Sequence, residues 1–280
     1  MTLPWPRPLP RHHVLAVLGT ALATTLAPRL ASANPMPLPF TYTYQTLGKG
    51  EGEVEQYVDF VPTKAVDAQG NPVWYAATQL QTEFEWGITD HLELGLYATL
   101  APQPPGGLTG TASLTESNGF KERLRLRIAD EGVLPVDLAF YGEVVENDVE
   151  IEVEAKIILE KRFGHLRIAA NLWGELERDY AAREVDWVAN PTLGATYQLS
   201  PSLHLGVEGW MRGQWAANDP QPRGFNLGPH AYVGPTVMFD FGKLWWSTGV
   251  YLRADEVDRA VQPGDAYGWI WVRSIVGVGL

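Results

Sequence analysis

From Glu53 to the C-terminus the chain alternates between apolar and polar residues, with few interruptions. Val54, Val58 and Phe60 alternate with Glu53, Glu55, Tyr57 and Asp59. Ala76, Leu80, Phe84 and Trp86 oppose Gln79, Gln81, Glu83 and Glu85, and Leu92, Leu94 and Leu96 oppose His91 and Glu93. A period of two is the signature of a β-strand with unlike faces. The pattern recurs in "FKERLRLRIAD", over Val136–Val144, in "VEIEVEAKIILE", over Leu166–Glu175 and over Trp187–Leu199. It returns over Leu203–Arg212, His230–Phe239, Leu244–Arg253 and Tyr267–Leu280. This gives twelve expected strands.

The connections alternate as well. Those at "GITD", "ADEGV", "KRFG", "SPS" and "GK" are tight; those at Pro62–Pro72, Ala101–Asn118, Arg178–Arg183, Gln214–Asn226 and Ala254–Ala266 are longer, with Glu146–Asp148 a brief exception. Short turns on one rim and long loops on the other, with an even strand count, is the layout of an outer-membrane barrel. In such a barrel the apolar face meets lipid and the polar face fills the lumen, the reverse of a soluble sandwich. The expected fold is all-β: a single up-and-down antiparallel transmembrane β-barrel of twelve strands, spanning residues 53–280.

The first 33 residues read differently. Arg7, Arg11, His12 and His13 precede the apolar run "VLAVLGTALATTLA", and Ala31-Ser32-Ala33 forms an A-x-A site. That is a secretory signal peptide, cleaved before Asn34. Residues 34–52, with "FTYTYQTLGKG", form a separate segment that plugs the lumen or simply leads into the first strand. After cleavage 18 basic side chains face 33 acidic ones, which excludes a nucleic-acid footprint. There are no cysteines, hence no disulfide and no thiolate metal site.

"TLGKGEGEVEQYVDF" (Thr46–Phe60), "TEFEWGITDHLELGLY" (Thr82–Tyr97) and "EVEAKIILEKRFG" (Glu152–Gly164) resemble uncharacterised bacterial outer-membrane barrel proteins. They are similar in style to the family labelled for the MetA pathway of phenol degradation, whose members carry a "TLGKG"-like opening and a "YGITDRLELG"-like first hairpin. The resemblance implies the fold and an outer-membrane location. It implies no substrate and no catalytic residues.

On this reading the lumen holds a basic row, Lys121, Arg123, Arg125 and Arg127, and acids at Glu83, Glu85, Glu93, Asp137, Glu143, Glu150, Glu152 and Glu154. The row would pair across the wall, Arg125 and Arg127 at the depth of Glu93 and Asp137, Arg123 and Lys121 near Glu143. The alternative is an anion ladder. Glu150, Glu152 and Glu154 would attract cations or pair with Lys156, Arg167 and other arginines. Trp173, Trp210, Trp269 and Trp271 also face inward, to fill the lumen or line a pore. Phe84, Trp86, Tyr197, Phe239, Phe241, Trp245 and Trp246 sit at strand ends and would form the interfacial girdle.

Chemical motifs are sparse. "GKGEG" has no following helix to make a phosphate loop, and His91, His165, His204 and His230 lack ligand spacing. No metal or other cofactor is implied. A narrow channel or passive transporter for small solutes fits best, then a plugged, non-conducting barrel with a structural or surface role, then a barrel lipid hydrolase, for which Ser202 and His204 are poorly placed. Expected partners are outer-membrane lipid and lipopolysaccharide, the assembly machinery that reads the final strand, and a small solute.

Overall fold

A computed structural model describes residues 33–102, 104–112, 114, 119–147, 149–181, 183–216, 227–255, 261–264 and 266–280. Residues 1–32 of the expected signal peptide lie outside that set. The strands are β1 (Gly52–Val66), β2 (Pro72–Gly87), β3 (Leu92–Leu100), β4 (Gly119–Arg127), β5 (Asp137–Asn147), β6 (Glu150–Phe163), β7 (Leu166–Asp179), β8 (Val185–Ala189), β9 (Thr192–Ser200), β10 (Leu203–Ala216), β11 (Leu227–Asp240), β12 (Leu244–Arg253) and β13 (Ile270–Gly279).

Each strand pairs antiparallel with its neighbours, and β13 pairs with β1 from Glu53↔Gly279 to Phe60↔Val272. That last pairing closes the sheet and removes its edges, so every wall strand finds its backbone partners within the protein. β8 and β9 are two halves of one stave: both pair with β7 and with β10. The barrel therefore has twelve staves. The expected Trp187–Leu199 strand breaks at Asn190-Pro191, where proline has no N–H for the ladder.

The faces are inverted relative to a soluble protein. Phe84, Trp86, Leu96, Leu124, Leu126 and Phe140 are exposed, whereas Glu53, Glu55, Glu83, Glu93 and Arg125 are completely buried. Burial of that kind needs lipid around the outer wall. Phe239 stacks on Phe241 and on Trp246 at the short-turn rim, at 6.3 and 5.6 Å between ring centroids. Phe120, Trp187 and Trp269 are exposed nearer the long loops.

Two expectations need correcting. Pro62–Pro72 is mostly strand, because β1 and β2 stay paired out to Val66↔Pro72 and turn over Asp67–Asn71. Pro62 fits there because β13 is paired with β1 only as far as Phe60, so the missing N–H faces an unpaired side. Trp245 does not join the girdle. Its parity is opposite to Leu244 and Trp246, and it is fully buried in the lumen. Its indole N–H is bonded to Glu53, and Gly277 leaves room where a Cβ would lie 2.2 Å from the ring.

Candidate functional site: a lumen closed by an inserted segment

Residues 34–47 run inside the barrel rather than beneath it. Met36, Leu38, Phe40, Thr41, Tyr42, Thr43 and Tyr44 are all buried. The stretch "NPMPLPF" explains how a segment with no strand partner tolerates this. Pro35, Pro37 and Pro39 carry no N–H, so three backbone donors need no acceptor.

Six of the remaining donors are met by inward side chains. Asn34 N bonds Glu53 Oε2 at 2.6 Å, Phe40 N and Thr41 N share Glu208 Oε1 at 3.0 and 2.5 Å, and Leu47 N bonds Glu93 Oε2 at 2.7 Å. Tyr42 is held twice by Asn171, N to Oδ1 at 2.8 Å and Nδ2 to O at 3.0 Å. The path is re-entrant. Lys49 N bonds Asp90 at the short-turn rim, Phe40 is the deepest point, and Asn34 Nδ2 returns to Gln45 O.

Phe40 closes an aromatic layer at mid-depth. Its ring lies 4.6 Å from Trp210, 5.2 Å from Tyr251 and 6.1 Å from Trp271 between centroids, and Trp210 stacks on Tyr232 at 4.3 Å. The Arg273 guanidinium sits 3.8 Å from the Phe40 ring centre while gripping Asp59 through two bonds of 2.8 Å. Planar cation and ring together seal the gap without an unpaired charge.

Toward the short-turn rim the lumen is filled by ions. Arg123 Nε bonds Glu83 at 2.9 Å, its Nη1 bonds Glu93 at 2.7 Å, and its Nη2 reaches Glu83 at 2.5 Å and also Glu85. Arg125 Nη2 bonds Glu93 at 2.6 Å. Gly95 makes this possible: a Cβ there would lie 2.4 Å from Glu83 Oε1 and 2.5 Å from Arg123 Nε.

The basic row is graded rather than uniform. Lys121 meets Glu143 at 3.3 Å, in keeping with the expected depth. Arg123 turns instead toward β2 and β3, away from Glu143, because the three carboxylates there converge on the space above Gly95. Arg127 reaches Asp130 at 3.2 Å in the β4–β5 turn, not Asp137, whose carboxylate accepts the Gly132 N–H. The His91 hydrogen bond, then the Arg127 charge, hold Asp130 below the usual carboxylate range.

Toward the long loops lies a cavity of about 490 Å³. Phe40 forms part of its lining, together with Glu150, Glu152, Glu154, Glu175, Glu177, Asp179, Glu184 and Asp186 against Lys121, Arg212 and Arg273. Arg212 bonds Glu175 at 2.8 Å and Glu177 at 2.5 Å. Glu154 pairs with Lys156, whose ammonium lies over the Trp173 ring at 3.7 Å. Arg167 pairs with Glu160 rather than with the acidic row. Trp173, Trp210 and Trp271 line this cavity, whereas Trp269 is exposed one residue before β13 begins. The indole N–H of Trp173, that of Trp210 and Asn190 Oδ1 have no protein partner and border the same space.

A second cavity of about 430 Å³ opens beneath the inserted segment, between Asn34, Gln45, Arg162, Arg167, His204 and Asp240. Residues 34–47 separate the two. Sequence reasoning missed Asn171, Glu208 and Glu160, which accepts from Tyr44 N at 3.3 Å, as partners of this segment. Their signal was an inward acid or amide on three staves with no cation in register.

No family model matches the chain, and no curated protein matches it. Solved structures do. An outer membrane channel from Pseudomonas putida F1 is similar with a TM-score of 0.53 at 13% identity, over 89% of this chain and 100% of that one. The NanC porin is similar with a TM-score of 0.50 at 7% identity, over 79% of this chain and 98% of that one. Both likenesses are of fold.

Proposed function

We propose that the protein is an outer-membrane channel for passive entry of small solutes, with a preference for cations, closed at mid-depth by its own residues 34–47. One observation carries this reading. The closing segment belongs to no strand and separates a cavity at each end of a finished barrel. A device held by side-chain contacts can leave without unpairing the wall.

Three points support it. The fold is that of known outer-membrane channels. The "TLGKG" and "GITD" motifs resemble those of the phenol-degradation-pathway outer-membrane family. Carboxylates outnumber cations around the long-loop cavity, which favours positive solutes there. Trp173, Trp210 and Trp271 offer apolar walls for a small organic cation. Lipid, lipopolysaccharide and the assembly machinery are partners of any such barrel.

The buried ion network favours a second reading, a permanently closed barrel acting through its surface. Single-channel recording in a planar bilayer under a salt gradient separates the two. The channel reading expects brief steps from the wild-type chain, with a cation-side reversal potential. It expects long-lived steps after Met36–Tyr44 are replaced by a Gly-Ser tract. A folded, inserted replacement variant that carries no current would sink it.

A further inference from the structure

Five carboxylates, those of Glu53, Glu55, Glu83, Glu85 and Glu93, are at most 1% exposed near the short-turn rim. The cations bonded among them are Arg123 and Arg125. Five negative and two positive charges leave an excess of three. Glu55 Oε1 and Glu85 Oε2 have no hydrogen-bond partner, and one oxygen from each of Glu53, Glu55 and Glu85 lies within 4.8 Å of the others. A buried excess of this kind is relieved either by a proton on a carboxylate or by a further positive group.

One nitrogen is already in place. Asn34 N lies 2.6 Å from Glu53 Oε2, and Asn34 is 8% exposed. The A-x-A site puts export cleavage at the Ala33–Asn34 bond. A signal peptidase hydrolyses that bond with one water, leaving a carboxylate on Ala33 of the released peptide and an α-ammonium on Asn34. We propose that this α-ammonium is a resident cation of the buried carboxylate cluster, and that by binding Glu53 it anchors the inserted segment in the lumen.

Cleavage then creates the charged group that fixes the segment in the lumen. Before cleavage the nitrogen is a neutral amide; afterwards it carries charge and three donors to a site lacking positive charge. The inference rests on cleavage at Ala33 and is independent of whether the barrel conducts.

The test uses the full precursor, exported and purified from membranes. Intact mass reports where the mature chain begins, and Asn34 is expected. In a second form two glycines are inserted between Ala33 and Asn34, moving the ammonium away while preserving the segment. Urea unfolding in lipid vesicles is measured for both forms, with Glu53 and with Glu53→Gln. With Glu53 present, the insertion is expected to lower the folding equilibrium constant about tenfold, the scale of one charged hydrogen bond. With Glu53→Gln its effect is expected to fall to about threefold or less. A different mature start, or an equal effect of the insertion in both backgrounds, would overturn the proposal. If Glu53→Gln does not fold, labelling by an amine-selective aldehyde specific for N-termini decides. The wild-type terminus is expected to react at least about tenfold more slowly than the extended one, since burial blocks the amine. Equal rates would overturn the proposal.

Discussion

Arg123→Met is the perturbation whose size follows most directly from the geometry. Arg123 is 1% exposed and bonds Glu83, Glu85 and Glu93, themselves at most 1% exposed. Removing it leaves three carboxylates facing one another, with Arg125 as the arginine still bonded among them. Breaking a buried pair by deleting one partner costs about 3–5 kcal/mol, and the full burial here gives no reason to discount that range. Lys121→Met is the internal control, on the same strand face one pleat away. Lys121 is partly exposed with one bond of 3.3 Å to Glu143, which keeps a second donor in Tyr141, so its loss should cost only about 1–2 kcal/mol. The assay is urea titration of the refolded barrel in lipid vesicles, followed by tryptophan fluorescence. Adding Glu83→Gln and Glu85→Gln to Arg123→Met should recover at least about half of the loss, because neutral amides need no cation. A cost for Arg123→Met within about 1 kcal/mol of the control would refute the reasoning: solvent would then reach a network that the structure buries.

Gly95→Ala should destabilise by about 1–3 kcal/mol in the same titration, because its Cβ would lie 2.4 Å from Glu83 Oε1 inside a filled layer; an unchanged midpoint would show that the layer yields. Phe40→Ala removes the ring that Trp210, Tyr251 and Arg273 enclose, so open events in bilayer recordings should lengthen while the barrel stays folded. Replacing Glu150, Glu152 and Glu154 together by Gln removes three of the carboxylates around the long-loop cavity, and the reversal potential under a salt gradient should move toward zero. A reversal potential that stays put would place selectivity elsewhere.

What the sequence made legible was what lipid enforces. An outer wall in hydrocarbon requires strict alternation, so the strand faces, the rims and the closure of β13 on β1 could all be read. The lumen was legible only by parity. Trp245 could have been assigned inward from its offset to Leu244 and Trp246. Which rows meet inside was not readable, because strand tilt and stagger set the depth at which Arg123 faces Glu83. Gly95 and Gly277 marked the gaps, but a glycine does not name what fills its space. The fate of "NPMPLPFTYTY" was hidden for another reason. Its alternating prolines suit a plug and a lead into the first strand equally well, and it is the acceptors from Glu53, Asn171 and Glu208 on distant staves that make it an insert.

If residues 34–47 close the conduction path, fixing them in place must abolish openings. The chain has no cysteine, so a single engineered pair can test it. Leu38 Cγ lies 3.3 Å from the Cβ position at Gly194, which suits a disulfide between Leu38→Cys and Gly194→Cys. The measurement is bilayer current from this double variant, oxidised and then reduced in the same membrane. No openings are expected while the segment is pinned to β9, and wild-type openings should return after dithiothreitol. Oxidised protein that conducts like wild type would contradict this, since the path would then bypass the segment.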